Sequence, residues 1–369
     1  MRTTNREKSI TIADLESRSF EENDTPDLPP ADIVAYNELR SCADLFRMYE
    51  QKSLIIQPEF QREIVWKGPA QTRFIDSLMK QLPIPSMCFS LDYKVQQWQV
   101  IDGLQRIWTI IRFLSDRDWI LSDLDDIDPK ISGRPVSVFH DENSPLHPYF
   151  HRVQNVTLPV TVLRCDYSKK EHANYLFTIF HRLNTGGMKL NNQEIRNCIY
   201  AGRFNDLLKE LNKNAQWIRL NKMKPDVSYR FTKEELILRF FAFHDRLRDY
   251  TGYLAKFLND YMLDHRDPPQ PFLDEKRQLF RRTVELIFKR IFSGKSPRKL
   301  SLTLFEALLV GVGSNISRLE QFALPRLKTL ARRLSEHEEF SEERLSEGLS
   351  KKERVISRLS AAKKVFAAT

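Results

Sequence analysis

The sequence predicts an α+β fold in which a small mixed sheet with its helices comes first and an all-helical domain follows. Short β-forming runs, such as Met87 to Leu91 and Trp98 to Ile101, alternate with helical apolar patterns in the first half of the chain. From residue 200 onward the apolar residues recur mainly at helical spacing, most strongly between 234 and 243. At 369 residues the chain is long enough for two domains with a large core.

The first predicted elements lead to a turn at Asp102-Gly103. Gly68-Pro69 predicts the start of a helix, because proline is tolerated in the first helical turn. The predicted elements of this part are a helix over 31–50, a short strand over 54–56, a helix from residue 68, strands over 87–91 and 98–101, and a helix over 104–114.

The part between residues 115 and 155 is rich in Asp and predicts an irregular, solvated loop. Pro145 and Pro148 argue against a helix there, so His140, His147 and His151 are interpreted as a feature of the loop composition and not as a metal site. The remaining predicted elements are an edge or irregular strand over 156–163 that contains Pro159, a helix over 170–183, and a helix that Asn191 caps together with Glu194.

The formal net charge of +9 is concentrated at one end of the chain. The segment from Asp274 to Thr369 contains 21 Lys or Arg and 12 Asp or Glu, whereas the residues before it contain 37 of each sign. A basic region is an electrostatic footprint for nucleic acid or for an acidic partner, although helical proteins also carry basic faces that meet only solvent. We therefore expect DNA contact through the basic C-terminal helices, with a solvated face as the alternative.

Other features argue against several classes of protein. Cys42, Cys88, Cys165 and Cys198 form no C-x-x-C pair, which argues against a disulfide framework or a zinc site. No apolar run has the length of a membrane span, and the first thirty residues lack an apolar signal-peptide core, so we expect a cytoplasmic protein without membrane contact. The sequence contains neither a G-x-x-x-x-G-K-[ST] phosphate loop nor an H-N-H nuclease motif.

The segment from Val100 to Trp108 contains the main candidate site. A strand that breaks at Gly103 and continues as a helix directs free backbone N–H groups toward a ligand, and the start of a helix favours phosphate. Arg106 in the first helical turn can reach that phosphate, and Asp102 can hold a metal-bound water or orient an attacking water. The alternative is a strand–turn–helix corner with a structural Asp and a surface Arg.

Several motifs together resemble one known family. They are Gln57-Pro58-Glu59-Phe60-Gln61-Arg62 followed by Trp66, Leu82-Pro83-Ile84-Pro85, Ile101-Asp102-Gly103-Leu104-Gln105-Arg106, and Asn184-Thr185-Gly186-Gly187 followed by L-x-x-x-E-x-R. Their order and spacing resemble the N-terminal domain of GmrS/GmrD-type restriction proteins, a relative of the ParB and sulfiredoxin nucleotide-binding fold. The resemblance covers about residues 35–265, and it departs from the family's D-G-Q-Q-R motif at Leu104, where the family has Gln.

This resemblance implies a nucleotide-binding, NTP-hydrolysing subunit of a prokaryotic anti-phage or modification-dependent restriction system, which acts with a separate H-N-H nuclease. The expected catalytic residues are Asp102, Gln105 and Arg106, with Mg²⁺ at Asp102 and a nucleoside triphosphate as substrate or effector. The expected nucleotide-binding residues are Gln61, Arg62, Gly103, Asn184, Thr185, Gly186 and Gly187. The departure at Leu104 leaves open whether the bound nucleotide is hydrolysed.

The resemblance and the breaks in the sequence divide the chain into four parts. These are a flexible N-terminal arm over 1–30, a ParB/sulfiredoxin-like nucleotide-binding domain over 31–200, a helical extension over 201–268, and a basic helical C-terminal domain over 269–369. The alternative function is a non-catalytic DNA-binding module, or a scaffold, that uses the basic C-terminal helices. Whether the chain forms a homo-oligomer is left open.

Overall fold

The structure is a computed structural model that describes residues 30–56, 66–183, 191–221, 232–297, 301–341, 344 and 349–368. The described residues form two compact units that divide between Lys189 and Leu190. We call them the N-terminal unit and the C-terminal unit. The predicted arm lies outside the described residues except for its last residue, Pro30, and the predicted boundaries at 200 and 268 stay predictions.

The N-terminal unit is built on a five-stranded mixed sheet. Its strands are β1 (Val34–Ser41), β2 (Leu54–Ile55), β3 (Met87–Asp92), β4 (Gln97–Asp102) and β5 (Thr157–Cys165). The strand order is β1-β5-β3-β4-β2, with antiparallel pairs β1–β5 and β3–β4 and parallel pairs β5–β3 and β4–β2. The predicted mixed sheet and the predicted strands over 54–56, 87–91 and 98–101 are therefore confirmed.

The predicted helix over 31–50 is wrong in its first half, where the chain forms β1. A helix begins only at Cys42, after Ser41, whose side chain accepts a hydrogen bond from the backbone N–H of Asp44. Every residue of β1 pairs with a residue of β5, from Val34 with Arg164 to Ser41 with Thr157. These long-range backbone hydrogen bonds override the apolar spacing of a segment whose side chains are largely exposed.

The strand that contains Pro159 lies inside the sheet and not at its edge. β5 pairs with β1 on one side and with β3 on the other, so the predicted edge position is wrong. Its pairing with β3 begins at Val160, opposite Met87. Since proline lacks a backbone N–H, its position just before the segment paired with β3 costs the sheet no ladder bond to that strand.

Helices cover the sheet of the N-terminal unit. They are α1 (Cys42–Glu50), α2 (Gly68–Met79), α3 (Leu104–Ser115), α4 (Ser137–His140), α5 (His147–Asn155) and α6 (Lys170–Leu183). Apolar side chains of α1, α2 and α3 pack in one buried cluster with Phe89 of β3 and with Val160 and Val162 of β5. α6 contacts β4. Burial of this apolar cluster provides the main stabilisation of the sheet.

The part predicted as an irregular loop contains two helices, α4 and α5. Pro148 lies in the first turn of α5, where a missing N–H costs nothing, so the argument against a helix was wrong. A ring nitrogen of His140 hydrogen bonds to the Phe113 carbonyl, and one of His147 bonds to the Phe139 carbonyl. Among the described residues, no group of three or more His, Cys, Asp or Glu is placed to hold a metal ion.

The described part of the C-terminal unit is all-helical, as predicted. Its helices are α7 (Asn192–Ile199), α8 (Arg203–Asn212), α9 (Ala215–Leu220), α10 (Thr232–Arg246), α11 (Leu254–Asp264), α12 (Gln270–Glu285), α13 (Leu302–Gly313), α14 (Ile316–Leu319), α15 (Leu324–Ser335) and α16 (Lys352–Ala367). The predicted cap of α7 is confirmed, because Asn191 and Glu194 each accept a hydrogen bond from the other's backbone N–H. Among the described residues, no helix is both long and apolar enough to span a membrane.

Buried charged residues connect four helices of the C-terminal unit. Arg239 Nε of α10 donates to Glu306 Oε1 of α13 at 2.5 Å, and Glu306 Oε2 lies 3.9 Å from Arg358 Nη2 of α16. Glu235 Oε1 lies 3.7 Å from Arg239 Nη1, and Glu235 Oε2 lies 3.5 Å from Arg196 Nη1 of α7. All five residues are buried, so each charge is stabilised by its neighbours and not by water.

Replacing Glu306 by Ala is expected to lower the free energy of unfolding by about 3–5 kcal/mol, because two buried guanidinium groups lose a carboxylate. Glu336→Ala is the control, since Glu336 Oε1 lies 3.8 Å from Arg332 Nε in an exposed pair. The control is expected to cost about 0–1 kcal/mol. Urea unfolding followed by circular dichroism measures both values, and equal losses would contradict the role assigned to Glu306.

Candidate functional site

The candidate site is the corner where β4 ends and α3 begins. β4 ends at Asp102, Gly103 has φ +98° and ψ 11°, and α3 starts at Leu104 without a side-chain cap. The predicted break in the chain at Gly103 and the predicted helix over 104–114 are therefore confirmed. The left-handed backbone favours glycine, and a Cβ atom at this position would lie 2.6 Å from Met87 Cγ. Two constraints, backbone conformation and space, thus exclude other residues from position 103.

A register shift in the sheet lies directly before this corner. Phe89 of β3 pairs with Val100, whereas the preceding Cys88 pairs with Asp102 and not with Ile101. β4 thus has one more residue than β3 here, which is the arrangement of a β-bulge. Because side chains alternate along a strand, the extra residue changes the face on which Asp102 lies and brings it opposite Cys88.

Arg106 connects the corner to the segment before β3. Its Nη2 atom donates to Asp102 Oδ2 at 2.8 Å, and its Nη1 atom donates to the Pro85 carbonyl oxygen. The Arg106 side chain is 14% exposed, compared with 43% for Asp102. Burial lowers the pKa of the Arg106 guanidinium, and the Asp102 carboxylate opposes this shift. Asp102 is therefore the more accessible of the two charges.

Gln105 connects the corner to the start of α2. Its Oε1 atom accepts a hydrogen bond from the backbone N–H of Trp66 at 3.3 Å, and the Trp66 ring meets Phe74 edge-on. The neighbouring Leu104, which occupies the position of a family Gln, is half-buried and packs against the core of the unit. Position 104 therefore supplies packing and no polar group.

Cys88 also belongs to the corner, although no sequence motif points to it. It is buried, and burial raises the pKa of its thiol to about 12, with a further contribution from the Asp102 carboxylate. At neutral pH this thiol is uncharged, so Cys88 is not an activated nucleophile. No local sequence signal reveals its position, because the pairing of β3 with β4 places it opposite Asp102.

The structure brings together only some of the predicted site residues. Asp102, Gly103, Gln105 and Arg106 lie together at the corner. The other predicted residues lie outside the described residues, and they are Gln61, Arg62, Asn184, Thr185, Gly186 and Gly187. Their assignment to the site stays a prediction.

The corner is suited to a magnesium ion that is held by one carboxylate, waters and phosphates, and not by several protein ligands. Since no group of three or more potential ligands is present among the described residues, a cage made of protein ligands is not available there. Mg²⁺ often binds instead through one or two carboxylates together with waters and substrate phosphates. Asp102 is a half-exposed carboxylate of the kind that this mode requires.

One comparison with known proteins gives a match. Residues 42–201 match the family model described as GmrSD restriction endonuclease, N-terminal domain. The match contains the corner and extends from α1 to the end of α7, and it confirms the family indicated by the motifs. No curated protein and no solved structure matches the chain.

Replacing Gly103 by Ala is expected to lower the free energy of unfolding by about 2–4 kcal/mol, the sum of a strained backbone and an overlap with Met87. Gly294→Ala is the matched control, because Gly294 has φ +73° and no atom within 4 Å of an added Cβ. The control pays only the backbone cost of about 1–2 kcal/mol. Both values come from urea unfolding, and a loss at position 103 no larger than at position 294 would refute the close contact.

Proposed function

We propose that the chain is a restriction-system subunit that binds and hydrolyses a nucleoside triphosphate at the β4–α3 corner. The premise of this proposal is that residues 42–201 match the family model described as GmrSD restriction endonuclease, N-terminal domain. The observation that supports this proposal best is the arrangement of Asp102 and Arg106 at a helix start that has no side-chain cap. Backbone N–H groups at such a start are suited to phosphate oxygens. The proposed substrate class is a nucleoside triphosphate.

Each residue of the corner has a separate role in this proposal. Arg106 donates to a phosphate oxygen after exchanging Asp102 or the Pro85 carbonyl for it. Asp102 would hold a magnesium ion, which would offset the negative charge of the phosphates. Arg62 lies outside the described residues, and its proposed role is to stabilise the negative charge of the transition state.

Gln105 is proposed to orient the water that attacks the terminal phosphate. Its Oε1 atom already accepts the Trp66 N–H, which fixes the orientation of the amide group. A carbonyl oxygen has two lone pairs, so the same atom can also accept a hydrogen bond from water. Attack by that water forms a new P–O bond while the bond between the terminal phosphorus and the bridging oxygen breaks. The nucleoside diphosphate leaves with the electron pair, and the water proton passes to a phosphate oxygen.

DNA cleavage is proposed to belong to a partner. The chain has no H-N-H motif, so a separate nuclease of that type would cut DNA while this chain supplies a nucleotide-dependent step. The proposed setting is a prokaryotic anti-phage or modification-dependent system in the cytoplasm. Self-association of the chain is compatible with this role and is not required by it.

DNA binding is a second candidate function, and one helix of the C-terminal unit favours it. Three leucines of α15 are buried, whereas its basic residues are exposed and its sequence contains no acidic residue. The basic residues are Arg326, Lys328, Arg332 and Arg333. A helix that buries one apolar face and exposes four basic residues can pack on its own unit while it contacts DNA phosphates.

The nucleotide proposal predicts that Arg106→Ala weakens nucleotide binding by about 10- to 100-fold, the loss expected for a hydrogen bond to a charged group. Binding and phosphate release are measured with Mg²⁺ and each common nucleoside triphosphate. Arg73→Ala is the control, because Arg73 is half-exposed and pairs with the exposed Asp126 and not with a residue of the corner. It is expected to leave both quantities unchanged.

Two outcomes of this experiment would change the proposal, one for phosphate binding and one for hydrolysis. Unchanged affinity in a folded Arg106→Ala variant would contradict phosphate binding at the corner. Binding without phosphate release by the unmodified chain would make the corner a nucleotide sensor. In that case Leu104→Gln, which restores the family residue, tests whether Leu104 prevents hydrolysis.

The DNA proposal predicts that the double variant Lys328→Ala/Arg332→Ala has a weaker salt dependence of binding. The negative slope of log affinity against log salt concentration should become shallower by about two, one for each lost phosphate contact. The control removes the same charge elsewhere through Arg117→Ala/Lys130→Ala, two exposed residues of the N-terminal unit. Binding to duplex DNA is measured by fluorescence anisotropy at several salt concentrations. Equal changes in slope for both variants would indicate a general charge effect and not a surface on α15.

A further inference from the structure

Four strands place one row of residues across the sheet of the N-terminal unit. Asn37 of β1 pairs with Thr161 of β5, Thr161 pairs with Cys88 of β3, and Cys88 pairs with Asp102 of β4. Residues that pair directly on neighbouring strands lie on the same face of a sheet. We call these four residues the cross-strand row. It begins at the candidate site and leads away from it to β1.

Hydrogen bonds organise the outer part of the cross-strand row. Thr161 Oγ1 donates to Asn37 Oδ1 at 2.8 Å and lies 3.3 Å from Ser86 Oγ. Because Oδ1 of Asn37 accepts this bond, the amide group of Asn37 keeps its Nδ2 donors for another partner. Asn37 and Ser86 are exposed, and Thr161 is partly exposed. The polar groups at this end of the row are therefore accessible.

Ser86 connects the outer end of the cross-strand row to the corner, because it contacts both Thr161 and Arg106. The Ser86 carbonyl oxygen lies 3.5 Å from Arg106 Nη2, next to the Pro85 carbonyl to which Arg106 donates. Between the two ends lies Cys88, which is buried. The face thus has ionic groups at one end and neutral donors and acceptors at the other.

The cross-strand row is longer than a single phosphate group. Neighbouring strands lie about 4.8 Å apart, so three strand intervals separate Asn37 from Asp102 by about 14 Å. A triphosphate has its charge at one end and the neutral polar groups of sugar and base at the other. The charged phosphates would therefore lie at the ionic end of the row, near Asp102, and the neutral sugar and base would lie at the end near Asn37.

We propose that the cross-strand row binds the nucleoside part of the triphosphate whose phosphates lie at the corner. Asn37 Nδ2 donates to an acceptor on the base or sugar, and Thr161 and Ser86 exchange hydrogen bonds with the sugar hydroxyls. This inference rests on the proposed function, and it adds the orientation of the nucleotide and the residues that read its neutral part.

The test separates the two parts of the ligand by comparing a nucleoside triphosphate with inorganic tripolyphosphate, which has no nucleoside. The full chain is titrated with each ligand in the presence of Mg²⁺ by isothermal titration calorimetry. The variants are Asn37→Ala and Thr161→Val, and the control is Asn143→Ala, an exposed residue of the same unit. Thermal unfolding of each variant establishes that it is folded.

We expect Asn37→Ala and Thr161→Val each to weaken binding of the nucleoside triphosphate by about tenfold, the effect of one lost hydrogen bond. Binding of tripolyphosphate should not change in either variant, and Asn143→Ala should change neither ligand. Equal weakening of both ligands would overturn the proposal, because the row would then only support the corner. Unchanged binding of both would also overturn it.

The failure of the proposed function gives a different result. If the unmodified chain binds neither ligand, the corner does not bind phosphate, and both proposals fail together. If the unmodified chain binds both ligands and Arg106→Ala weakens both, the corner binds phosphate. The binding measurements for Asn37→Ala and Thr161→Val then test only whether the cross-strand row binds the nucleoside.

Discussion

The candidate site depends on the absence of a Cβ atom at Gly103. A Cβ atom there would lie 2.6 Å from Met87 Cγ, so the start of α3 can lie this close to β3 only with glycine at position 103. The additional residue of β4 at Ile101 acts together with it, because the register shift brings Asp102 opposite Cys88. A change in either feature would move Asp102 and the first turn of α3, and the site would lose its geometry.

The buried charged network of the C-terminal unit and the charged pair at the corner differ in their exposure to solvent. In the C-terminal unit, Arg196, Arg239 and Arg358 are buried among the carboxylates of Glu235 and Glu306, where they connect helices. At the corner, the charge pair is only partly enclosed and one partner, Asp102, remains accessible. A buried network is costly to open, whereas a half-exposed pair can exchange a partner for a ligand. This contrast supports the corner, and not the buried network, as the place for chemistry.

The proposed ligand contacts are separated by chemical type. The corner has one carboxylate, one guanidinium and a helix start, which suit phosphate and its magnesium ion. The outer end of the cross-strand row has an amide and hydroxyl groups, which suit neutral acceptors and donors. The basic face of α15 belongs to the other unit and suits a polymer with a regular phosphate backbone. A restriction subunit that couples nucleotide to DNA would need all three kinds of contact.

Features that depend on near neighbours in the chain could be predicted from the amino-acid sequence. Asn191 and Glu194 predicted the capping box, Asp102-Gly103 predicted the corner, and the motifs indicated the family that matches residues 42–201. Tertiary structure alone decided that Val34–Ser41 is a strand, that the strand of Pro159 is internal, and that Asn37, Thr161 and Cys88 form a row with Asp102. These features depend on backbone pairing between segments far apart in sequence, as for Asn37 and Thr161. Local apolar spacing carries no information about such a partner.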